Sequence, residues 1–281
     1  MRILVTGGTG QLGRALVRLA PPQHRVVALG SAMLDVTDFA SVHRRLTSEA
    51  PDLVIHAGAM TDVDGCERDP ERAYRLNALG TQFLAAAAAA AGASLLYVST
   101  NYVFDGEAAD PYHEFARPAP ISVYGASKLA GEDAVRALVP RHYVVRTAMV
   151  YDESGRNFVT TMLRLAETRA ALTVVADQRG NPTYAGDLAQ AIYQVVESPA
   201  YGTYHLVNEG IASWYDWAVE LFRLSGRQVA VEPIPGSAWR RDARPPSNGA
   251  LASLAAPALG IRLPPWQDAL RRCLDRRGGA A

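Results

Sequence analysis

The sequence of 281 residues is almost without lysine: its 28 basic side chains are 27 arginines and a single lysine, Lys128. It also lacks a surplus of charge, because 28 acidic residues balance the 28 basic ones. That balance leaves no positive excess to neutralise nucleic-acid phosphates or an anionic membrane surface, so neither partner is expected. Cysteine is scarce as well. Cys66 and Cys273 are the only two, which excludes a disulfide framework. No Cys/His spacing suits zinc, and no metal is expected. The longest apolar run, Phe83 to Ala91, is about half a membrane span and reads as an Ala-rich soluble helix. The N-terminal MRILVTGG lacks the regions of a secretory leader, so a cytoplasmic protein is expected. Disorder is excluded by composition, with 49% hydrophobic and 20% charged residues.

The first half alternates short apolar runs with helical stretches. Ile3-Leu4-Val5, Val26 to Leu29, Leu53 to His56, Leu95 to Val98 and Tyr143 to Val145 read as strands. Helical patterns lie between them: Leu12 to Leu19, Phe39 to Ala50, Pro70 to Ala91, and a helix starting near Tyr124. Apolar runs without alternation suit strands buried on both faces. The fold class is therefore α/β, a Rossmann-like doubly wound parallel sheet with ligands at the strand C-termini. After about residue 150 proline and glycine become frequent, and all four tryptophans follow, at 214, 217, 239 and 266. Residues 1–150 are expected to form the dinucleotide-binding part and 151–281 mainly a smaller, loop-rich substrate part. Returns to the sheet are expected near 172–207, at Leu172 to Val175 and at Tyr204 to Val207. Arg276 to Ala281 read as a frayed tail.

Gly7, Gly10 and Gly13 form G-x-x-G-x-x-G directly after the first strand, with Gln11 and Leu12 opening the next helix. Glycines there permit a tight turn and close approach of a diphosphate, which meets unpaired helix N–H groups. A plain glycine-rich turn is the alternative. The second strand ends Ala28-Leu29-Gly30-Ser31 without a carboxylate. Nothing there repels a ribose 2′-phosphate, so NADPH is favoured over NADH, although no arginine attracts it.

Tyr124 and Lys128 form Y-x-x-x-K at a helix start, and that spacing puts them on one face. An ammonium beside a phenol favours the phenolate, so Lys128 is expected to lower the Tyr124 pKa and prepare it for proton transfer. A chain that otherwise uses arginine places its only lysine four residues after a tyrosine, which favours a catalytic pair over an idle exposed one. Lys128→Arg is expected to keep the fold and lose most activity. Thr100, at the end of the fourth strand, can bond a substrate carbonyl. A turn or helix cap is the competing reading for that hydroxyl.

These stretches resemble the short-chain dehydrogenase/reductases, and within them the dTDP-4-dehydrorhamnose reductase family. The matching runs include TGGTGQLG at 6–13, STNYVFDG at 99–106, VYGASKLAGE at 123–132, RTAMVY at 146–151, DQRGNPT at 177–183 and RDARPPSNGAL at 241–251. The resemblance implies NADPH-dependent reduction of the C4 keto group of a dTDP-4-keto-6-deoxy-L-hexose, foremost dTDP-4-dehydrorhamnose. It implies Thr100, Tyr124 and Lys128 as catalytic residues. It adds Asp35, Val36 and Ala57-Gly58-Ala59 to the cofactor site, although Asp35 is equally read as part of a helix cap. It places Asn101, Tyr102, Met149, Gln178 and Arg244 toward the sugar nucleotide. The arginines at 240, 241 and 244 could meet the diphosphate, or could form a solvated loop. Asn101 replaces the family's aspartate and Ala148-Met149 its Ser-Trp, which opens the identity of the sugar. Ala15 stands where some members carry a metal-binding glutamate at a dimer contact, so both monomer and homodimer remain open. Two alternatives stay beside the main reading: a reductase of another nucleotide 4-keto-deoxysugar, and a non-catalytic dinucleotide-binding regulatory subunit.

Overall fold

The computed structural model describes residues 1–278. Its strands in chain order are β1 (Arg2–Thr6), β2 (Arg25–Leu29), β3 (Leu53–His56), β4 (Ser94–Thr100), β5 (His142–Thr147), β6 (Val150–Tyr151), β7 (Ala171–Val175), β8 (Arg179–Gly180), β9 (Thr183–Tyr184), β10 (Gly202–His205), β11 (Ala212–Ser213) and β12 (Ala230–Ile234). The helices are α1 (Gln11–Arg18), α2 (Phe39–Glu49), α3 (Val63–Arg68), α4 (Pro70–Tyr74), α5 (Gly80–Ala90), α6 (Val123–Leu138), α7 (Phe158–Leu165), α8 (Ala185–Val196), α9 (Trp214–Ser225), α10 (Ala255–Ala258) and α11 (Trp266–Gly278). Six strands form one sheet in the order β10-β5-β4-β3-β1-β2, and every neighbouring pair is parallel. The order reverses between β1 and β3. In a doubly wound sheet that switch point opens the ligand crevice.

Both faces of the sheet are covered, as its unbroken apolar runs require. Leu12, Ala15 and Leu16 of α1 pack with Leu188, Ile192 and Val195 of α8 on one face. Val42 and Leu46 of α2, Leu84 and Ala88 of α5, and Val135 of α6 cover the other. A separate cluster holds Tyr151, Tyr184, Trp217, Trp266 and Cys273, with Trp214 packed against it. Three of the four late tryptophans thus build a second core, and only Trp239 is left largely exposed.

Three expectations change. Leu172 to Val175 do not return to the main sheet; β7 pairs with β12 in a two-stranded sheet of its own. The reason is visible in its burial, because Ala171 and Thr173 face solvent while Leu172 and Val174 are covered, the pattern of a strand with one wet face. Tyr204 and His205, in β10, do join the main sheet. The helical run from Pro70 is interrupted by a π turn at Arg75–Leu79. Arg276 to Gly278 are not frayed, since they complete α11; the remainder of that stretch lies outside the described residues. No described helix is long and apolar enough to cross a membrane.

His56 closes β3 and is fully buried. Its Nδ1 is 2.6 Å from the Thr6 hydroxyl and its Nε2 3.1 Å from the Thr81 hydroxyl. Burial, and secondarily the Lys128 ammonium, push its imidazole down to about 3. The unfolded chain therefore takes up a proton that the native state refuses. Stability is complete above the ordinary histidine value and falls as pH drops below it, by about 2 kcal/mol near pH 5 from this residue alone. His205, buried and lowered to about 4, acts in the same direction. Urea unfolding at near-neutral and mildly acidic pH should show this loss, and His56→Gln should flatten it.

Candidate active site

The loop after β1 is shaped by backbone contact. Gly7 adopts φ +73°, and a Cβ on it would lie 2.5 Å from the Gly58 nitrogen. A Cβ on Gly13 would lie 2.2 Å from the Gly7 oxygen. Only hydrogen fits at either position. The N-cap of α1 is Gly10, which offers no side-chain acceptor to the first-turn amides. Those amides are left for an anion. The Gln11 Oε1 atom at the start of α1 is buried without a hydrogen-bond partner, as is Thr147 Oγ1 at the end of β5.

This loop forms one wall of a cavity of about 1050 Å³. Typical small-ligand pockets hold about 300–1,000 Å³, so there is room for a dinucleotide. Gly7, Gly10, Gln11, Leu12 and Gly13 line it, as do Asp35, Val36, Ala57, Gly58 and Ala59. Asp35 lies on the cavity and does not cap α2. Its carboxylate accepts from the Thr37 amide at 2.9 Å and the Thr37 hydroxyl at 2.8 Å. The N-cap of α2 itself is Asp38.

The opposite wall comes from β4 and α6. The α6 N-terminus is held by Ser122, which accepts from the Gly125 amide, and by Glu67, which accepts from the Val123 amide at 2.8 Å. Tyr124 therefore stands on the first turn, and Lys128 lies one turn on. A Cβ on Gly125 would be 2.0 Å from the Tyr102 oxygen, so α6 rests directly on the backbone that follows Thr100. Thr100, Asn101, Tyr102, Tyr124, Lys128 and Met149 all line the same cavity. The Tyr102 and Tyr124 rings meet edge to face at 5.4 Å. Met149 has φ 47°, an uncommon backbone for a side chain that long.

The electrostatics differ from the expectation. Burial raises the Tyr124 phenol above its ordinary range, and the neighbouring Thr100 hydroxyl opposes that shift. Burial dominates, so the phenol lies above and not below its ordinary value even with Lys128 one turn on. The Lys128 Nζ donates to the Val98 carbonyl at 2.7 Å and lies 4.0 Å from the centre of the Tyr97 ring. Only 2% of Lys128 is exposed, and burial lowers its ammonium to about 7. Desolvation at both residues outweighs their attraction. The arrangement thus presents a protonated phenol beside a hydroxyl, at the floor of a dinucleotide-sized cavity.

A family model described as the RmlD substrate binding domain matches residues 1–278. A dTDP-4-dehydrorhamnose reductase of Sinorhizobium fredii is 40% identical over 97% of this chain and 96% of its own length. The chain belongs to the dTDP-4-dehydrorhamnose reductase family. A spore coat polysaccharide biosynthesis protein of Bacillus subtilis, SpsK, is 38% identical over 99% of both chains. The crystal structure of dTDP-4-dehydrorhamnose reductase from Bacillus anthracis in complex with NADP superposes with a TM-score of 0.96, at 36% identity over 98% of this chain and 99% of that one.

Two residues singled out from the family pattern stand apart from the cavity wall. Gln178 packs beside Gly236, whose Cβ would be 2.5 Å from its Nε2. Arg244 is exposed. Ion pairs explain where the arginine-rich loop before Arg244 goes. Arg241 donates to Asp64 at 3.0 Å and Arg68 to Asp242 at 2.5 Å, which fastens residues 241–243 to α3. Sequence reasoning about this family member also passed over Asn77, in the π turn. Its side chain bonds both backbone groups of Met60, at 2.8 and 3.1 Å, and the Ser127 hydroxyl at 3.0 Å. It passed over Glu132 too, although the four-residue step from Lys128 was available as a signal. Among the described residues, no group of three or more His, Cys, Asp or Glu could hold a metal ion.

Proposed function

We propose that this chain catalyses NADPH-dependent reduction of a dTDP-4-keto-6-deoxy-L-hexose, with dTDP-4-dehydrorhamnose as substrate and dTDP-L-rhamnose as product. The observation that carries the reading is the convergence of Thr100, Tyr124 and Lys128 on the cavity that the glycine loop opens. Residues 1–150 supply most of the cofactor side and the later residues shape the sugar side. When bound, NADPH supplies the hydride that reduces C4. Tyr124 is the general acid: burial keeps its phenol protonated, so it can release the proton to a far more basic developing alkoxide at O4. The Thr100 hydroxyl donates to the same oxygen and stabilises charge as it accumulates. Lys128, anchored on the Val98 carbonyl, holds positive charge behind the phenol and donates toward the ribose. Gly7, Gly10 and Gly13 let the backbone approach the diphosphate, while Asp35 and Val36 face the adenine side.

The test is direct. Purified protein mixed with NADPH and dTDP-4-dehydrorhamnose should consume the reduced nicotinamide and yield the 4-hydroxy sugar. No oxidation with any nucleotide 4-keto sugar would sink the proposal. A second reading, reduction of a different 4-keto-deoxysugar, is favoured by Met149 with its positive φ where the family carries tryptophan. A panel of keto sugars separates the two by which is reduced fastest.

A further inference from the structure

Four residues of α6 share one face at steps of four: Tyr124, Lys128, Glu132 and Arg136. The third is the unusual one. Glu132 is 0% exposed and is saturated with donors from three elements. Ser99 of β4 donates to it at 2.5 Å. Arg146 of β5 grips it with two bonds, at 2.9 and 2.8 Å. Arg136 adds a third charged contact at 2.7 Å. Arg146 is itself only 2% exposed and lies over the Phe104 ring at 5.1 Å. Ser99 and Arg146 adjoin Thr100 and Thr147, which both line the cavity. The carboxylate therefore joins the ends of two strands to the helix that carries the phenol.

Lys128 needs such a neighbour. His56 neighbours it from β3 and Tyr97 from β4, Tyr124 and Glu132 share its helix face, and Arg146 of β5 is held on Glu132. Of these only Glu132 carries negative charge. We propose that Glu132 is a positioning residue for Lys128: it ties the α6 face that carries Lys128 to the ends of β4 and β5, and it sets a carboxylate one turn from that buried ammonium. It touches no reacting atom. Burial already lowers the Lys128 ammonium to about 7 with Glu132 opposing that shift, so removal of the carboxylate would lower it further and weaken the charge behind Tyr124. The catalytic consequence rests on the proposed reductase reading; the ionisation of Lys128 does not.

The sequence offers a clean probe, because Lys128 is the only lysine. Protein labelled with ε-¹³C lysine, and made without a lysine-containing tag, gives one side-chain NMR signal whose pH titration reports this residue alone. Glu132→Gln should lower the Lys128 pKa by about one unit or more. Arg136→Gln removes a partly exposed positive charge from the same column and should raise it by a few tenths of a unit. Ser99→Ala loosens the network without changing charge and should leave the titration in place. Opposite shifts in the two charge variants are a signature that loosened packing would not produce. A Lys128 titration unmoved by Glu132→Gln overturns the proposal. So does a downward shift in Arg136→Gln, or an equal shift in Ser99→Ala. Should Glu132→Gln fail to fold, Arg136→Gln decides alone, and no upward shift refutes it. In turnover, the basic limb of kcat/KM should follow the NMR pKa. A titration that moves as expected in a protein that reduces no keto sugar would leave Glu132 in its role and remove only the reductase reading.

Discussion

Tyr124→Phe should lower kcat by about 10²–10⁴-fold while NADPH binding stays within a few-fold of wild type. The substitution removes one hydroxyl and little else. The Tyr124 ring packs in a small cluster with Cys66 and Ala73, and phenylalanine preserves that packing and the edge-to-face contact with Tyr102. The backbone carbonyl of residue 124 still accepts from Ser127, now at 2.8 Å, so the first turn of α6 keeps its shape. What disappears is the proton. Because burial raises this phenol above its ordinary range, wild-type activity should not lose its proton donor anywhere near neutrality. A basic limb close to neutral pH belongs instead to Lys128, which is lowered to about 7. Steady-state turnover across pH, with cofactor affinity by fluorescence, checks both halves. Retention of more than about a tenth of wild-type kcat in Tyr124→Phe would contradict the assignment of general acid.

Lys128→Arg should remove most activity and also destabilise the protein. Sequence alone suggests that the fold would be indifferent. The structure revises that expectation, because Lys128 is 2% exposed and its Nζ has a single close acceptor, the Val98 carbonyl at 2.7 Å. A guanidinium is larger, planar and carries more N–H groups than the site has acceptors. Overpacking of this kind costs about 1–3 kcal/mol, and a charge that cannot be shed by deprotonation adds to it. Lys128→Met separates the two effects. It is similar in length, lacks charge, and should melt close to wild type while turning over as poorly as the arginine variant. Thermal melts and turnover of both variants, side by side, make the comparison. Near-wild-type turnover by Lys128→Arg would show that the ammonium is dispensable.

Local spacing carried most of what could be read beforehand. The glycine triplet, the Tyr124/Lys128 step and the alternation of apolar runs with helices are properties of contiguous residues, and the physics behind them is local. The missed features depend on distant partners. Asn77, inside the π turn, bonds Met60, 17 residues earlier. Asp64 draws in Arg241 across 177 residues, and that pairing decides where the arginine-rich loop lies. The β7–β12 pair misled for another reason: a short apolar run looks the same whether it enters the main sheet or makes a sheet of two. The raised Tyr124 phenol depends on burial, and burial is a property of the assembled fold.

The contact at Gly125 has a consequence for how this scaffold can diversify. The first turn of α6 lies against the Tyr102 carbonyl with no side chain between them. The spacing of proton donor and hydroxyl is thus gauged by main chain on main chain, and it does not depend on which residues furnish the sugar side. On the proposed reading, substitutions at Met149 or in the late loops should retune the accepted substrate without disturbing that gauge. Exchange of Gly125 for any other residue would pry the two elements apart. Libraries that vary the first group and hold the second constant are where altered sugar selectivity with intact turnover should be found.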